Sequence, residues 1–388
     1  MINRLLTIAR WIVGAVFIFS GFVKGIDPWG FNYKLTDYIH SMNLNWLEIF
    51  TFPGAFILPL AEFLIGVGLL FGVFTNLSTR LALIFMSFFT PLTLFVAIKN
   101  PVTDCGCFGD ALVITNWQTF FKNVILIVLA ILLFINREKI SYCLPLKYRK
   151  ILFSFVTVSY IFLVYWSFNH EPIFDFRPYK VGVNIPDGMQ TPKGAPTDVY
   201  KNTFYYRNLK SNEIKKFNDN NYPWKDSLNW KYESMDQVLV KKGYTPPIDD
   251  FVIQTADREN VADFFLHDDN FTFILVAYDL GKSSLKKQSV INPLATWAKE
   301  QGYKFICLTS STGSVLDTYK ANAHPTYDFY FGDEITLKTI IRSNPGLLLI
   351  KKGTILAKWH YNDIPSFEKM QRVSNKINIM SHLFGNVK

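Results

Sequence analysis

At 388 residues, with hydrophobic side chains at 49% and charged ones at 18%, the chain is too apolar for an ordinary soluble protein and long enough for two or three domains. Its formal charge of +9 is spread over many short loops, with no basic block among stacking aromatics. That pattern argues against a nucleic-acid partner and for charge that sets membrane topology. Four cysteines are too few for a disulfide scaffold, so each needs its own explanation.

Nearly all long charge-poor runs lie before residue 170. A spanning helix needs about 20 apolar residues, and five runs qualify: Leu5–Val23, Pro53–Phe74, Leu81–Ile98, Gln118–Ile135 and Ile151–Phe168. Lys122 sits one turn inside the fourth, where its stem can snorkel to the interface. No small-residue cleavage site follows Val23, so the first run is expected to be a retained helix and not a signal peptide. Arg4 and Arg10, then Arg80, then Arg137, Lys139, Lys147, Arg149 and Lys150 fall on one side if the five helices alternate. Basic short loops face the cytoplasm. The expected location is therefore a bacterial cytoplasmic (inner) membrane, with the Lys24–Phe52 and Lys99–Trp117 loops and everything after Asn169 extracytoplasmic. Between Lys24 and Phe52, the residues Tyr33, Leu35, Tyr38, Ile39 and Met42 recur at helical spacing and predict an amphipathic helix on the membrane surface.

From Glu171 the composition changes. Pro178, Pro186, Gly188, Pro192, Gly194 and Pro196 mark a linker or extended wrap, and Thr203–Lys216 reads as a polar hairpin with strands at Phe204–Tyr206 and Ile214–Phe217. Strand runs then follow at Thr272–Asp279, Lys304–Thr309 and Tyr327–Phe331, separated by helical patterns around Ile291–Ala298 and Val315–Ala323. A short helix at Leu337–Arg342, a hairpin of Leu347–Ile350 with Ile355–Trp359 and a last helix at Phe367–Ile379 complete the chain. This β-α-β-α-β-α-β-β-α order indicates a mixed sheet covered on both faces. The expected division is a membrane bundle over 1–140, a basic loop and fifth spanning helix over 141–170, a linker with hairpin over 171–250, and an α/β domain over 251–388.

Cys105 and Cys107 flank one glycine in an extracytoplasmic loop, where disulfides persist. A bond between residues two apart closes a very small ring, so it would be strained and oxidising, with Gly106 and Gly109 relieving part of the backbone strain. Two other readings stand beside redox exchange. The turn could be a tight structural loop of two reduced thiols, or the thiolates could ligate a metal with Asp104 or Asp110, although no nearby histidine completes a set. Glu62 lies roughly nine residues from the outer end of its helix, about 13 Å deep at 1.5 Å per residue. A carboxylate there is costly unless paired. Arg10 is the expected counter-charge, and the pair reads either as a structural ion pair or as a proton or quinone site. Thr90-Pro91 predicts a kink in the third helix. Lys24, Asp27 and Trp29 read as interfacial anchors. Cys143 falls in the cytoplasmic connection, Cys307 inside a strand as a buried hydrophobe, and His324 and His360 as rim residues.

Two resemblances rest on particular residues. Arg10, Ser20-Gly21-Phe22-Val23-Lys24 with Asp27-Pro28, Glu62 before Gly66-Val67-Gly68-Leu69-Leu70-Phe71-Gly72, Asp104-Cys105-Gly106-Cys107-Phe108-Gly109, and Trp117-Gln118-Thr119 with Asn123 together resemble the DoxX/MauE-type membrane proteins over residues 5–137. That resemblance implies a four-helix membrane module linked to disulfide or electron-transfer chemistry outside the cytoplasm, working alongside a thioredoxin-like partner. Residues 250–380 resemble the thioredoxin-like fold, with Asn344-Pro345-Gly346 at the place of that fold's cis-proline. The stretch Asp279-Leu280-Gly281-Lys282-Ser283-Ser284 carries no cysteine where a redox thioredoxin keeps its dithiol.

The expected fold is therefore an all-α membrane four-helix bundle, a fifth tethering helix and a thioredoxin-like α/β domain. Three functions compete. One is a membrane thiol–disulfide protein acting through Cys105 and Cys107, its dithiol-free domain binding an extracytoplasmic client or redox protein. Another is a non-enzymatic scaffold anchoring that domain in the bilayer. The third is a transporter using Glu62, for which no inverted repeat is visible. No cofactor or metal motif is present; a membrane quinone is the one cofactor class that the Glu62 reading admits.

Overall fold

The computed structural model describes residues 2–102, 104–140 and 145–372; Cys143 and the end of the expected last helix lie outside them. Among the described residues, five helices are long and apolar enough to cross a membrane: α1 (Ile2–Ile26), α3 (Thr51–Phe71), α4 (Thr75–Lys99), α5 (Asn116–Ile135) and α6 (Leu146–Asn169). A 3-10 turn over Asn45–Phe50 runs into α3. The amphipathic segment forms α2 (Pro28–Ser41), started by Pro28 and capped by Asp27, whose carboxylate accepts from the Gly30 amide at 2.9 Å. At the start of α5, Thr115 and Gln118 form a capping box.

In lipid there is no hydrophobic drive between helices, so small residues and close packing decide which pairs meet. Here α1 and α3 approach until a Cβ on Gly21 would stand 2.6 Å from the Pro59 carbonyl oxygen, and one on Gly66 2.7 Å from that of Gly14. Leu6, Ala9, Val13 and Phe17 of α1 fill a core with Leu69, Met86, Ala130 and Leu133 of the other helices. Pro91 lies inside α4, which runs on continuously past it, and Asn123 of α5 donates to the Thr93 hydroxyl at 3.2 Å. α6 is more peripheral. It buries only Tyr160 and Ser167, with the Tyr160 ring stacked on Phe63 (centroids 4.0 Å apart) and its hydroxyl donating to the Gly21 carbonyl at 2.7 Å.

The C-terminal α/β domain is built on β4 (Phe271–Val276), buried at every position. β5 (Lys304–Thr309) and β6 (Asp328–Phe331) extend the sheet in parallel on one side, and β7 (Gly346–Lys351) and β8 (Thr354–His360) extend it antiparallel on the other. The strand order is β6-β5-β4-β7-β8. Helices α9 (Gln288–Glu300), α10 (Gly313–Ala323) and α11 (Glu334–Ile340) alternate with the strands, and residues 367–372 are helical after β8. Parallel strands joined through helices, followed by an antiparallel hairpin, give the mixed sheet that the order of elements predicts, in the arrangement that the thioredoxin-like resemblance implies. The Asn344–Pro345 bond is cis and leads into β7.

Residues Asn184–Phe251 form a separate compact unit. It holds α7 (Ile185–Met189) and an antiparallel sheet of β1 (Val199–Asn208), β2 (Ile214–Asn218) and β3 (Trp230–Lys241), in the order β2-β1-β3. The expected hairpin is present, with Phe204 opposite Phe217. β3 is an addition that sequence reading missed. Every position after Trp230 is exposed, so the strand leaves no apolar alternation to read.

Candidate functional site at the Cys-Gly-Cys turn

The turn is folded by its own polar atoms. Asp104 accepts from the Gly106 amide at 2.9 Å, and Gly109 N donates to the Gly106 carbonyl at 3.1 Å. Gly106 sits at φ +62°, and any Cβ there would also stand 2.9 Å from Lys34 Cγ; glycine meets both demands. Neighbouring helices then hold the turn from three sides. The Tyr38 hydroxyl on α2 donates to the Cys105 carbonyl at 3.0 Å, Lys34 pairs with Asp104 at 2.9 Å, and Ser20 on α1 donates to the Cys107 carbonyl at 2.9 Å. Phe108 is buried, tilted against Phe19, with the Lys122 ammonium of α5 4.5 Å above its ring.

This brings the two thiols together, Sγ to Sγ at 3.5 Å, both half-buried and both free. A disulfide needs about 2.05 Å, so the pair is in contact but not bonded. The two thiols are unequal. The hydrogen bond from Cys105 pulls Cys107 down to about 6, against the effect of burial and with help from Lys122 and Lys24. Cys105 is pushed up, because its proton is held by Cys107 and because it is buried. The turn therefore holds one thiolate near neutral pH, which is the attacking form in exchange.

Directly beneath lies a buried ion pair, and its partner corrects the expectation from sequence. Glu62 pairs with Lys24, at 2.8 and 2.9 Å, and not with Arg10. The Ser20 hydroxyl lies 2.9 Å from Glu62 Oε2 and 3.1 Å from Lys24 Nζ. The reason is geometric. Gly21 packs against Pro59 and Phe63, which sets the Ser20–Lys24 turn of α1 beside Glu62. Arg10, also buried, lies about 21 Å further along the helix at 1.5 Å per residue. Lys24 is 7% exposed, so it is not the interfacial anchor that its position at a helix end suggests. Ser20 and Lys24 stand four residues apart on one helical face, and that spacing was the available signal.

Above the turn stands the edge of the α/β domain where a thioredoxin keeps its dithiol. The Tyr278 hydroxyl, just after β4, lies 3.0 Å from that of Tyr33 on α2. Arg342, just after α11, grips Asp27 with Nε at 2.8 Å and Nη2 at 2.8 Å, and reaches Asp110 at 3.6 Å. Burial opposes the Asp27 charge, but Arg342 and then Arg177 outweigh it and hold the carboxyl below its ordinary range. Burial pushes Asp110 the other way, upward. Behind this edge Arg177, 2% exposed, pairs with Glu171 and Asp175, and Lys358 of β8 joins Asp175 at 2.8 Å. α2 therefore lies between the bundle and the domain, one face against each.

In the dithiol position, Asp279 caps its own turn through Gly281 and Lys282, Ser284 N donates to the Asn344 carbonyl at 2.9 Å, and Asn344 donates back to the Asp279 carbonyl at 2.7 Å. Pro345 follows that clasp. Cys307 is fully buried in β5, and burial pushes its thiol up. His360, expected at a rim, is 4% exposed and pushed down to about 4 by burial, its Nδ1 accepting from the Asn362 amide. Among the described residues no cluster of three His, Cys, Asp or Glu could hold a metal ion.

Residues 2–136 match the family model of the methylamine utilisation protein MauE. Residues 200–242 match a domain of unknown function, DUF8463. No curated protein matches the chain. Among solved structures, the C-terminal part is similar to the thioredoxin domain of a thiol-disulfide oxidoreductase from Bacteroides vulgatus, at 10% identity over 32% of this chain and 91% of that one, TM-score 0.26. A thiol:disulfide interchange protein from Bacteroides sp. is similar at 12% identity over 33% and 85%, TM-score 0.27. A Sco-family cytochrome c oxidase assembly protein is similar at 11% identity over 32% and 88%, TM-score 0.26. The MauE match covers the part of the chain that holds four of the five described helices long and apolar enough to cross a membrane.

Proposed function

We propose that this protein performs thiol–disulfide exchange outside the cytoplasm through Cys105 and Cys107, with the dithiol-free thioredoxin-like domain standing over the turn and orienting the partner. The observation that carries this reading is the contact of two free, half-buried thiols at 3.5 Å, with Cys107 pulled down to about 6. In the reducing direction, the Cys107 thiolate attacks one sulfur of a partner disulfide and forms a mixed disulfide. The released partner sulfur takes the Cys105 proton, and Cys105 then displaces the partner from Cys107. Two electrons pass to the partner, which leaves as two thiols once its second sulfur takes a proton from solvent. The reverse sequence oxidises a partner dithiol. The basic residues gathered at the opposite helix ends support the extracytoplasmic side.

The test is to trap thiols in intact membranes with an impermeant alkylating reagent while electron supply is varied. A Cys105–Cys107 disulfide that comes and goes, and a mixed disulfide that accumulates in Cys105→Ser, are expected. Thiols that stay reduced under every condition would refute the reading. One observation favours the scaffold instead: β3 is a long edge strand, paired only with β1 and exposed after Trp230, which is a template for pairing with another chain. If a Cys105→Ser/Cys107→Ser variant keeps every partner and every cellular effect, the scaffold reading stands alone.

A further inference from the structure

The turn rests on charges that the exchange steps do not use. On the loop itself stand Asp104 and Asp110, and on α2 Lys34 and Tyr38. Lys34 is satisfied by Asp104 at 2.9 Å and Arg342 by Asp27 at 2.8 Å, while Asp110, 3.6 Å from Arg342, is pushed upward by burial, toward its neutral form. Tyr38 stays neutral, its hydroxyl held on the Cys105 carbonyl. What remains around the thiols is Lys24 of α1, Lys122 of α5 and Glu62 of α3. Two cations and one anion leave a single positive charge uncancelled in a water-poor place, where that is costly. A thiolate at Cys107 makes the sum neutral. Closure of a disulfide removes that thiolate and leaves the positive charge exposed again.

We infer that the buried Lys24–Glu62 pair, together with Lys122, is the charge device that selects Cys107 as the attacking sulfur and disfavours the Cys105–Cys107 disulfide, making that disulfide oxidising. This rests on the exchange reading given above. The three side chains are positioning residues, acting through Cys107. Ser20 makes the mechanical link, its hydroxyl lying 2.9 Å from both Glu62 and the Cys107 carbonyl.

The signature lies in the sign. A merely structural ion pair responds alike to the loss of either member, whereas a charge device responds oppositely. In native membranes the alkylation rate of Cys107 is measured against pH in Lys24→Gln, Lys122→Gln and Glu62→Gln. The two lysine variants are expected to move the midpoint up by about one pH unit, tenfold less thiolate at fixed pH, and Glu62→Gln down by about as much. Redox titration against a dithiol buffer should make the disulfide less oxidising in the lysine variants and more oxidising in Glu62→Gln. Shifts of one sign in all three variants, or none, overturn the inference. Lys122 lies outside the ion pair, so if Lys24→Gln fails to accumulate, Lys122→Gln against Glu62→Gln still decides. Opposite shifts in a protein whose thiols never oxidise would remove the exchange reading and leave the charge device standing. Disulfide cycling without opposite shifts would do the reverse.

Discussion

Replacing Arg342 by methionine should loosen the thioredoxin-like domain from the bundle. The guanidinium is 9% exposed and its carboxylate partner Asp27 21% exposed. Removing one member of a buried pair costs about 3–5 kcal/mol, because the other charge is left uncompensated. Asp27 keeps some solvent and lies within reach of Arg177, so about 2–3 kcal/mol is the fitting range here. At about 1.4 kcal/mol per tenfold, the undocked fraction should rise roughly 30- to 150-fold. Hydrogen exchange in nanodiscs reads such a minor population, and amides of α2 and of the 278–284 loop should exchange faster by that factor. Asp27→Asn combined with Arg342→Met leaves no buried charge and should recover part of the loss. Unchanged exchange in the single variant, or a double variant worse than the sum of the singles, would refute the reasoning.

Four further outcomes are expected. Cys105→Ser keeps a hydrogen-bond donor beside Cys107 and should still alkylate below pH 7, whereas Cys105→Ala should move that reactivity toward the 8.5 or so of an ordinary thiol; equal profiles would remove the thiol–thiol hydrogen bond from the account. His360 has a folded-state value of about 4 against 6.5 when free. The unfolded chain therefore binds more protons between those values, and stability should fall as pH drops from 6.5 toward 4, by about 3 kcal/mol in all. Thermal melts of His360→Phe should lose that dependence. Asp27 acts in the same direction as His360 but at lower pH: its ionised form is favoured by docking, so that stabilisation should be lost only as pH falls below 3.8 and through the depressed folded value, visible as acid undocking in the same exchange experiment. Gly106→Ala, at φ +62° and against Lys34, should cost about 1–2 kcal/mol and separate the thiols, lowering the yield of any 105–107 disulfide.

Much of this was legible from residue patterns. The five spanning runs and the βαβ order needed only periodicity and composition, whereas the missing dithiol was legible only through the resemblance to the thioredoxin-like fold. The helices nonetheless extend beyond the expected runs, α3 starting at Thr51 and α6 at Leu146, because polar residues at helix ends do not stop a helix whose backbone must stay bonded. Lys24 was misread for a related reason. A lysine at a helix end usually snorkels, and only the glycine-mediated approach of α1 to α3 turns it inward onto Glu62. The junction residues Tyr33, Tyr278, Asp27 and Arg342 come from distant parts of the chain, and no local pattern announces their meeting. His360 looks like a rim residue because it ends a strand, yet the following turn folds over it.

The contact between the end of α6 and the turn after β8 bears on competition among partners. Asn362 donates to the Asn169 carbonyl at 2.9 Å, and His170 meets Asp363 at 2.8 Å, so the domain grips the very end of the helix that tethers it. Docking is therefore a unimolecular event at an effective molarity in the millimolar range. An interface of one arginine shared between two carboxylates and a tyrosine contact would be feeble between separate chains, but the tether makes up the difference. A free thioredoxin-like protein at micromolar concentration would meet a seat already taken, and would need roughly a thousandfold tighter intrinsic affinity to claim it.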